Sequence, residues 1–430
     1  MKIPRQLIDL TNKVHQIIFH APISTEVEKL IQIISHLSIG TFVSILFILP
    51  YNILSIRILG PEEYGKFILI QSVAMFISIP MAWGYNTALI KYTSETDDVK
   101  IKSEIISTAG ITIFSLSLVS TIIFFYFTNF FSNFFSIPSD LFYLSIVFAL
   151  IYIIYIFSTS LLKGFFEIKI LSVLQPMYSL TLLIAFLIGV FVFTQSYFAV
   201  FLASIIAYGV FAFLTFIILR KKFSFNFNIP IFKKMSHYAF FAAIGGLSFI
   251  LCTNVDKLLL NKFLTTADVG IYSAYYTAAL MVPSLLGTIL YTILFPYASK
   301  EKNLLVIFQR LDNLFPYFLT IGGALGCLST FIFLSLFGKE YPVNFLLIFL
   351  FAFAGILVFY CGLIEWVINS VGIKGIKMTC GIDVIIAIGN VVLNIILIPI
   401  FGLFGAIFST IIAFGIGLSI LIIKRESVVI

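Results

Sequence analysis

The chain has 430 residues, of which 61% are hydrophobic and only 10% charged, and its mean hydropathy is +1.13. Soluble domains carry about 25% charge and about 45–50% apolar residues, so a soluble globular protein is excluded, and with it the water-exposed scaffolds of hydrolases, kinases and nucleotidyl enzymes. The excess of 26 Lys and Arg over 19 Asp and Glu then reads as membrane orientation rather than as a nucleic-acid-binding face, and no nucleic-acid partner is expected.

In chain order, residues 1–35 form the only long polar stretch. Ile3, Leu7, Leu10, Val14 and Ile17 recur there at three- and four-residue steps, with Arg5, Asp9, Lys13 and Gln16 between them. This pattern predicts an amphipathic helix on the membrane surface. Charges interrupt its apolar run and a small-x-small cleavage site is missing, so it is not read as a cleaved signal. At roughly 20 residues per crossing, the remainder divides into twelve apolar segments: 37–56, 67–90, 104–128, 139–162, 172–194, 197–219, 237–261, 271–298, 313–337, 343–369, 378–400 and 403–423. Pro50, Pro80 and Pro283 fall inside segments and predict kinks.

Positive charges test this partition, because they collect on the cytoplasmic side. With the N-terminus inside, the inner connections and tails hold 21 Lys and Arg and the outer ones hold 5. Twelve spans with both termini cytoplasmic are therefore expected. Cys252, Cys327, Cys361 and Cys380 lie in or beside apolar stretches without metal or redox spacing and read as small buried hydrophobes. No cofactor and no metal are predicted. Without a phosphate-cradling loop ending in GK[ST], ATP hydrolysis is not expected either.

The longest inner connection, Arg220 to Ser236, carries five positive charges and divides the chain near its middle. The expected organisation is an amphipathic segment at 1–35, a first lobe at 36–220, a basic cytoplasmic linker at 221–236 and a second lobe at 237–425. Leu59–Phe67 aligns with Leu264–Tyr272 at an offset of 205, with the Leu, the acidic residue, the Gly and the aromatic in step. Gly164 and Lys169 match Gly372 and Lys377 at an offset of 208, and Ala199, Ala203 and Ala207 match Gly405, Ser409 and Ala413 at 206. The fold expected is an all-α integral membrane protein: two parallel six-helix lobes around a central cavity, related by a pseudo-two-fold along the membrane normal.

Four motifs occur in order: Arg57-Ile-Leu-Gly-Pro-Glu-Glu-Tyr-Gly65, Asp256-Lys-Leu-Leu-Leu260 leading into Val269-Gly-Ile-Tyr-Ser273, Pro296-Tyr-Ala-Ser-Lys300, and Gly402-Leu-Phe-Gly-Ala406. Together they resemble the polysaccharide-unit (O-antigen, Wzx-type) flippases of the multidrug/oligosaccharidyl-lipid/polysaccharide exporter (MOP) superfamily, over residues 36–425. The resemblance implies a MATE-like, two-lobed secondary transporter of the bacterial cytoplasmic (inner) membrane, not an enzyme. By alternating access it would carry undecaprenyl-pyrophosphate-linked oligosaccharides to the periplasmic leaflet for surface polysaccharide biosynthesis. Membrane lipids, an H⁺ or Na⁺ gradient and a polysaccharide polymerase complex are the partners it implies. Open alternatives are a cation-coupled multidrug exporter or lipid II flippase of the same superfamily, a membrane-embedded polysaccharide polymerase or ligase, and a structural scaffold. The short outer loops disfavour the polymerase.

A pyrophosphate-linked substrate needs cations along its path, and charges within spans cost roughly 2.5–3.5 kcal/mol at a helix centre. Lys257 is therefore read as a phosphate contact, with Asp256 tuning it or titrating as a coupling group; the plainer reading has Lys257 snorkelling outward. Arg57 and Lys262 occupy equivalent places in the two halves, either as interfacial anchors or as a two-sided cationic gate. Glu365 and Asp383 either touch headgroups or carry H⁺ or Na⁺. His36 is an interfacial histidine that can titrate near neutrality. Tyr51, Trp83 and Trp366 are the aromatic candidates for stacking on sugars.

Overall fold

The computed structural model describes residues 25–96, 98–193, 196–220, 226–280 and 304–425 together with Pro283 and Ala298, the backbone alone for 25–38 and 193. Every regular element among them is a helix: α1 Thr25–Ala82, α2 Tyr85–Ser94, α3 Val99–Tyr126, α4 Thr128–Phe135, α5 Ser139–Gly164, α6 Ile168–Phe193, α7 Tyr197–Leu219 and α8 Ile229–Phe263. They continue with α9 at 266–280, α10 Leu304–Tyr317, α11 Gly323–Phe337, α12 Phe345–Asn369, α13 Ile373–Phe401 and α14 Leu403–Lys424. Among the described residues ten helices are long and apolar enough to cross a membrane. The first predicted segment lies in α1 and the second, 67–90, runs from α1 across a turn at 83–84 into α2, while most of the eighth, 271–298, falls outside the described residues, as does the N-terminal stretch to residue 24. The His36 side chain is outside them too. All four cysteines are unpaired thiols, Cys361 fully buried.

Two interruptions have local causes. α1 contains Pro50, Pro61 and Pro80, yet it leaves helical torsion angles at Gly60, where φ is 68° and ψ 174°. A residue without a Cβ tolerates that φ, and Pro61 then opens the second limb, where a missing N–H costs nothing. Between α10 and α11, Pro316 precedes a π-helical turn at Phe318–Gly322, so this long helix is wider by one residue where the proline withdraws its donor.

The connections gather at two opposite ends. At one end Tyr341 Oη donates to the Ile56 carbonyl (3.0 Å) and Asn261 Nδ2 to the Ser136 carbonyl (2.7 Å). There too the Tyr197 N–H donates to Glu63 Oε2 (2.9 Å). The last of those tie points explains part of the Leu-Gly-Pro-Glu-Glu-Tyr-Gly run. Glu63 caps α7 and pairs with Lys66 (2.7 Å), and Tyr64 is buried. Gly65 and Gly270 complete it. A Cβ on Gly65 would land on the Thr266 carbonyl oxygen, and one on Gly270 on the Pro61 carbonyl oxygen. Under the 205-residue repeat Pro61 maps onto Thr266 and Gly65 onto Gly270, so the two contacts interchange, as a pseudo-two-fold requires. The repeat found by alignment is thus visible as reciprocal backbone contact between the first turns of two equivalent helices. Thr265 and Asp268 cap the second of these helices reciprocally, the Thr265 N–H donating to Asp268 Oδ2 (3.1 Å) and the Asp268 N–H to Thr265 Oγ1 (3.2 Å).

At the other end, the basic one, Tyr85 and Ser236 are hydrogen-bonded (2.5 Å), Asn228 Nδ2 donates to Glu104 Oε2 (2.9 Å), and Lys91 Nζ stands 4.2 Å from the Tyr238 ring centroid. α8 begins at Ile229, eight residues before the predicted seventh segment, and its first turns pack on the first half.

The apolar core follows this polarity. One buried cluster joins the first half to second-half residues, most of them towards the Gly65–Gly270 end, such as Leu260, Val269, Phe337, Tyr341, Ile398 and Ala406, together with Met235 and Ala239 in the first turns of α8 at the basic end. A separate cluster, with Phe308, Tyr360, Ile364, Ile382 and Leu421, holds the basic end of the second half by itself. Arg425 anchors that cluster: its two Nη atoms reach the two Asp312 oxygens at 2.8 and 2.6 Å, and Tyr360 Oη donates to the same carboxylate at 3.1 Å. Bidentate geometry makes this pair stronger than an ordinary surface bridge, though Asp312 is 38% exposed. Arg425→Gln should lower the stability of the purified protein by about 1–2 kcal/mol, read as a depressed Tm with unchanged helicity.

Candidate functional site

Two successive turns of α8 present Cys252, Thr253, Asp256 and Lys257 towards the interior of the second half. Adjacent residues point about 100° apart on a helix, and the pair at 256 and 257 separates accordingly. Asp256, 1% exposed, accepts the Lys257 backbone N–H (2.9 Å) and faces Tyr272 of α9, which also reaches Thr410 of α14. Lys257, 9% exposed, donates Nζ to the Thr253 carbonyl (2.7 Å) and stands 4.9 Å from the Tyr276 ring centroid. A backbone carbonyl and a ring face stabilise an ammonium without neutralising it, leaving N–H bonds to spare. The ammonium is held inside the helix packing rather than at a helix end.

Thr253 and Tyr276 are wall residues of a cavity of about 440 Å³. α8 gives it Cys252, α12 gives Glu365, α13 gives Asp383 and α14 gives Thr410. The Glu365 and Asp383 carboxyls interact directly, and Cys252 lies within electrostatic reach of Asp256, Glu365 and Asp383. The three carboxylates singled out in the sequence thus converge in one half of the protein, with Lys257 at the edge of the same cavity. Glu365 and Asp383 both line this cavity.

The other candidates lie elsewhere. Arg57 and Lys262 are exposed at the Gly65–Gly270 end: the Arg57 Cγ abuts Gly338, and Lys262 Nζ sits 5.9 Å from the neighbouring Phe263 ring. Neither lines the cavity. Tyr51 is a core residue, edge-on to Phe186 at 5.6 Å. Trp83 occupies a turn with φ 43° and Trp366 is 40% exposed, and neither of these lines the cavity. Reading the sequence for charges passed over Cys252, Tyr272, Tyr276 and Thr410. The available signal was the i, i+4 spacing of the two tyrosines in an otherwise apolar run.

The profile of the family described as polysaccharide biosynthesis protein matches residues 30–302, well over half of the chain. The chain belongs to this family. No curated protein matches it closely enough to count. Among solved structures it is similar to an inward-facing multidrug resistance MATE family transporter of the MOP superfamily, with 14% identity, a TM-score of 0.69 and coverage of 92% of this chain and 98% of that one. An outward-facing structure of such a transporter scores 0.58 at 13% identity, covering 93% and 95%. The lipid II flippase MurJ in an inward closed conformation scores 0.65 at 18% identity, covering 91% and 87%. At these identities the likeness establishes the fold: this member of the polysaccharide biosynthesis family is a multi-pass helical membrane protein with the MOP transporter architecture.

Proposed function

We propose that this protein is a flippase for undecaprenyl-pyrophosphate-linked oligosaccharides, moving them from the cytoplasmic to the periplasmic leaflet of the bacterial inner membrane by alternating access. The observation that carries the reading is a pair of buried charges, Asp256 and Lys257, next to a cavity lined by a second acidic pair, Glu365 and Asp383, inside a membrane fold of this family. Intramembrane charges are costly and are kept where they bind or move charge. Lys257 has donors to spare for a phosphate oxygen. Glu365 and Asp383, in contact within the membrane, are stable together only with a proton or a metal cation between them, and that makes them the coupling site in this scheme, with Asp256 answering through Tyr272.

The basic end is taken as cytoplasmic. The shared apolar core and the Gly65–Gly270 contact then close the periplasmic end, and the state is one that accepts substrate from the cytoplasmic side. A higher score against the inward-facing than the outward-facing MATE structure supports this. Arg57 and Lys262 flank the closed mouth and would meet pyrophosphate as it opens. A reporter domain fused after Lys234 should read cytoplasmic; a periplasmic signal overturns the orientation.

The decisive experiment is reconstitution into proteoliposomes carrying undecaprenyl-pyrophosphate oligosaccharide in one leaflet. Transfer to the other leaflet, faster than in empty liposomes and responsive to an imposed H⁺ or Na⁺ gradient, is the expected result. Efflux of cationic drugs without lipid transfer would replace this reading by the multidrug exporter, and glycan polymerisation by the purified protein would replace it by an enzyme.

A further inference from the structure

The first half carries a second concavity, on its outer face and apart from the charged cluster. It has a volume of about 740 Å³ and is walled by 106–114 of α3, 151–161 of α5 and 209–220 of α7. At 1.5 Å per residue these stretches run about 12–17 Å along the helices, roughly half of a 30 Å hydrocarbon core. α3 begins, and α5 and α7 end, at the basic end, so the groove covers the depth of one leaflet on that side and stops near the bilayer centre. Phe114, Ile154 and Phe213 expose 71%, 50% and 63% of their surfaces along it.

Polar groups are confined to its mouth. Arg220 closes α7 there, exposed, and is followed in sequence by Lys221 and Lys222. The Ser107 hydroxyl, one turn inside, is buried without a hydrogen-bond partner among the described residues. Its donor is unspent. At the groove floor a Cβ on Gly209 would meet nothing within 4 Å, so the space is open to an occupant.

We propose that this groove is a binding site for one anionic glycerophospholipid of the basic leaflet, with an acyl chain between Phe114, Ile154 and Phe213 and the phosphate on Arg220. Chain length favours a diacyl lipid over the polyprenyl carrier, because the groove ends where a leaflet ends, and Arg220, the one cation among its described lining residues, matches a headgroup phosphate rather than a glycan. Ser107 donates to the ester region in this arrangement.

The test is native mass spectrometry on the full-length protein in detergent, titrated with phosphatidylglycerol, phosphatidylcholine or undecaprenyl phosphate. Wild type should hold one phosphatidylglycerol in preference to phosphatidylcholine. Arg220→Gln should weaken phosphatidylglycerol binding about fivefold, and Gly209→Phe should abolish it by filling the floor. Equal phosphatidylglycerol affinity in wild type and Arg220→Gln overturns the proposal, as does preferential retention of undecaprenyl phosphate. If Gly209→Phe does not fold, the Arg220 variant decides alone. Since the readout is lipid occupancy, the outcome is independent of whether the protein flips glycans.

Discussion

Lys257→Met should lower lipid-linked oligosaccharide transfer about 30-fold or more in proteoliposomes. Removing one member of a buried, hydrogen-bonded charge set costs roughly 2–5 kcal/mol, and about 1.4 kcal/mol is tenfold in rate. The loss has two conceivable origins. Without the ammonium, Asp256 is left 1% exposed with one fewer counter-charge, and the protein could fail through instability. Asp256→Asn combined with Lys257→Met separates the origins: the pair removes both charges at similar volume and should restore the Tm towards wild type. If Lys257 contacts phosphate, the double variant folds and remains inactive. Recovery of transfer in the double variant would reduce Lys257 to a structural partner of Asp256. A parallel expectation concerns the acid pair. Glu365→Gln with Asp383→Asn should leave the protein folded, because two neutral amides need no cation, and should flatten the response of transfer to pH or Na⁺. A response identical to wild type removes coupling from these residues.

Much of this architecture was legible in the sequence because membranes restrict the solutions. Backbone groups in hydrocarbon must bond within their own segment, so long apolar runs became helices at the expected places, and 403–423 is nearly α14 itself. The break between the first two segments was legible as well, since a glycine followed by a proline interrupts a helix, and at Gly60 the chain leaves helical torsion angles between two helical limbs. In the candidate site the charged members were found because charges stand out against 61% hydrophobic residues. Their grouping was not legible. Glu365 and Asp383 are 18 positions apart, on different helices, and only the packing of α12, α13 and α8 brings them to Cys252. Arg57 and Lys262 illustrate the converse: the repeat pairs them by position, but position in a repeat carries no information about which way a side chain at a helix end turns.

Gly65→Ala and Gly270→Ala should each open the end opposite the basic loops. In either variant the new methyl meets a carbonyl oxygen of the partner helix, Thr266 in one case and Pro61 in the other. Overpacking of this kind costs about 1–3 kcal/mol, and a shift of that size changes a two-state population about 5- to 150-fold. The strain exists only while the two helix starts are in contact, so the closed state alone is destabilised and the protein should still insert and fold. Val269 provides the readout, since it is fully buried beside Gly270. With Val269→Cys in a background lacking the four native cysteines, a water-soluble maleimide should label the wild-type seal slowly and either alanine variant at least about fivefold faster. Reciprocity adds a sharper condition. Because the two contacts interchange under the repeat, the single variants should accelerate labelling to a similar degree, and both should slow net transfer, as resealing becomes the unfavourable half of the cycle. Fast labelling in one variant and wild-type behaviour in the other would mean that the two halves do not share the closure, and that the pseudo-two-fold visible at Gly65 and Gly270 is a relic of the fold rather than its working axis.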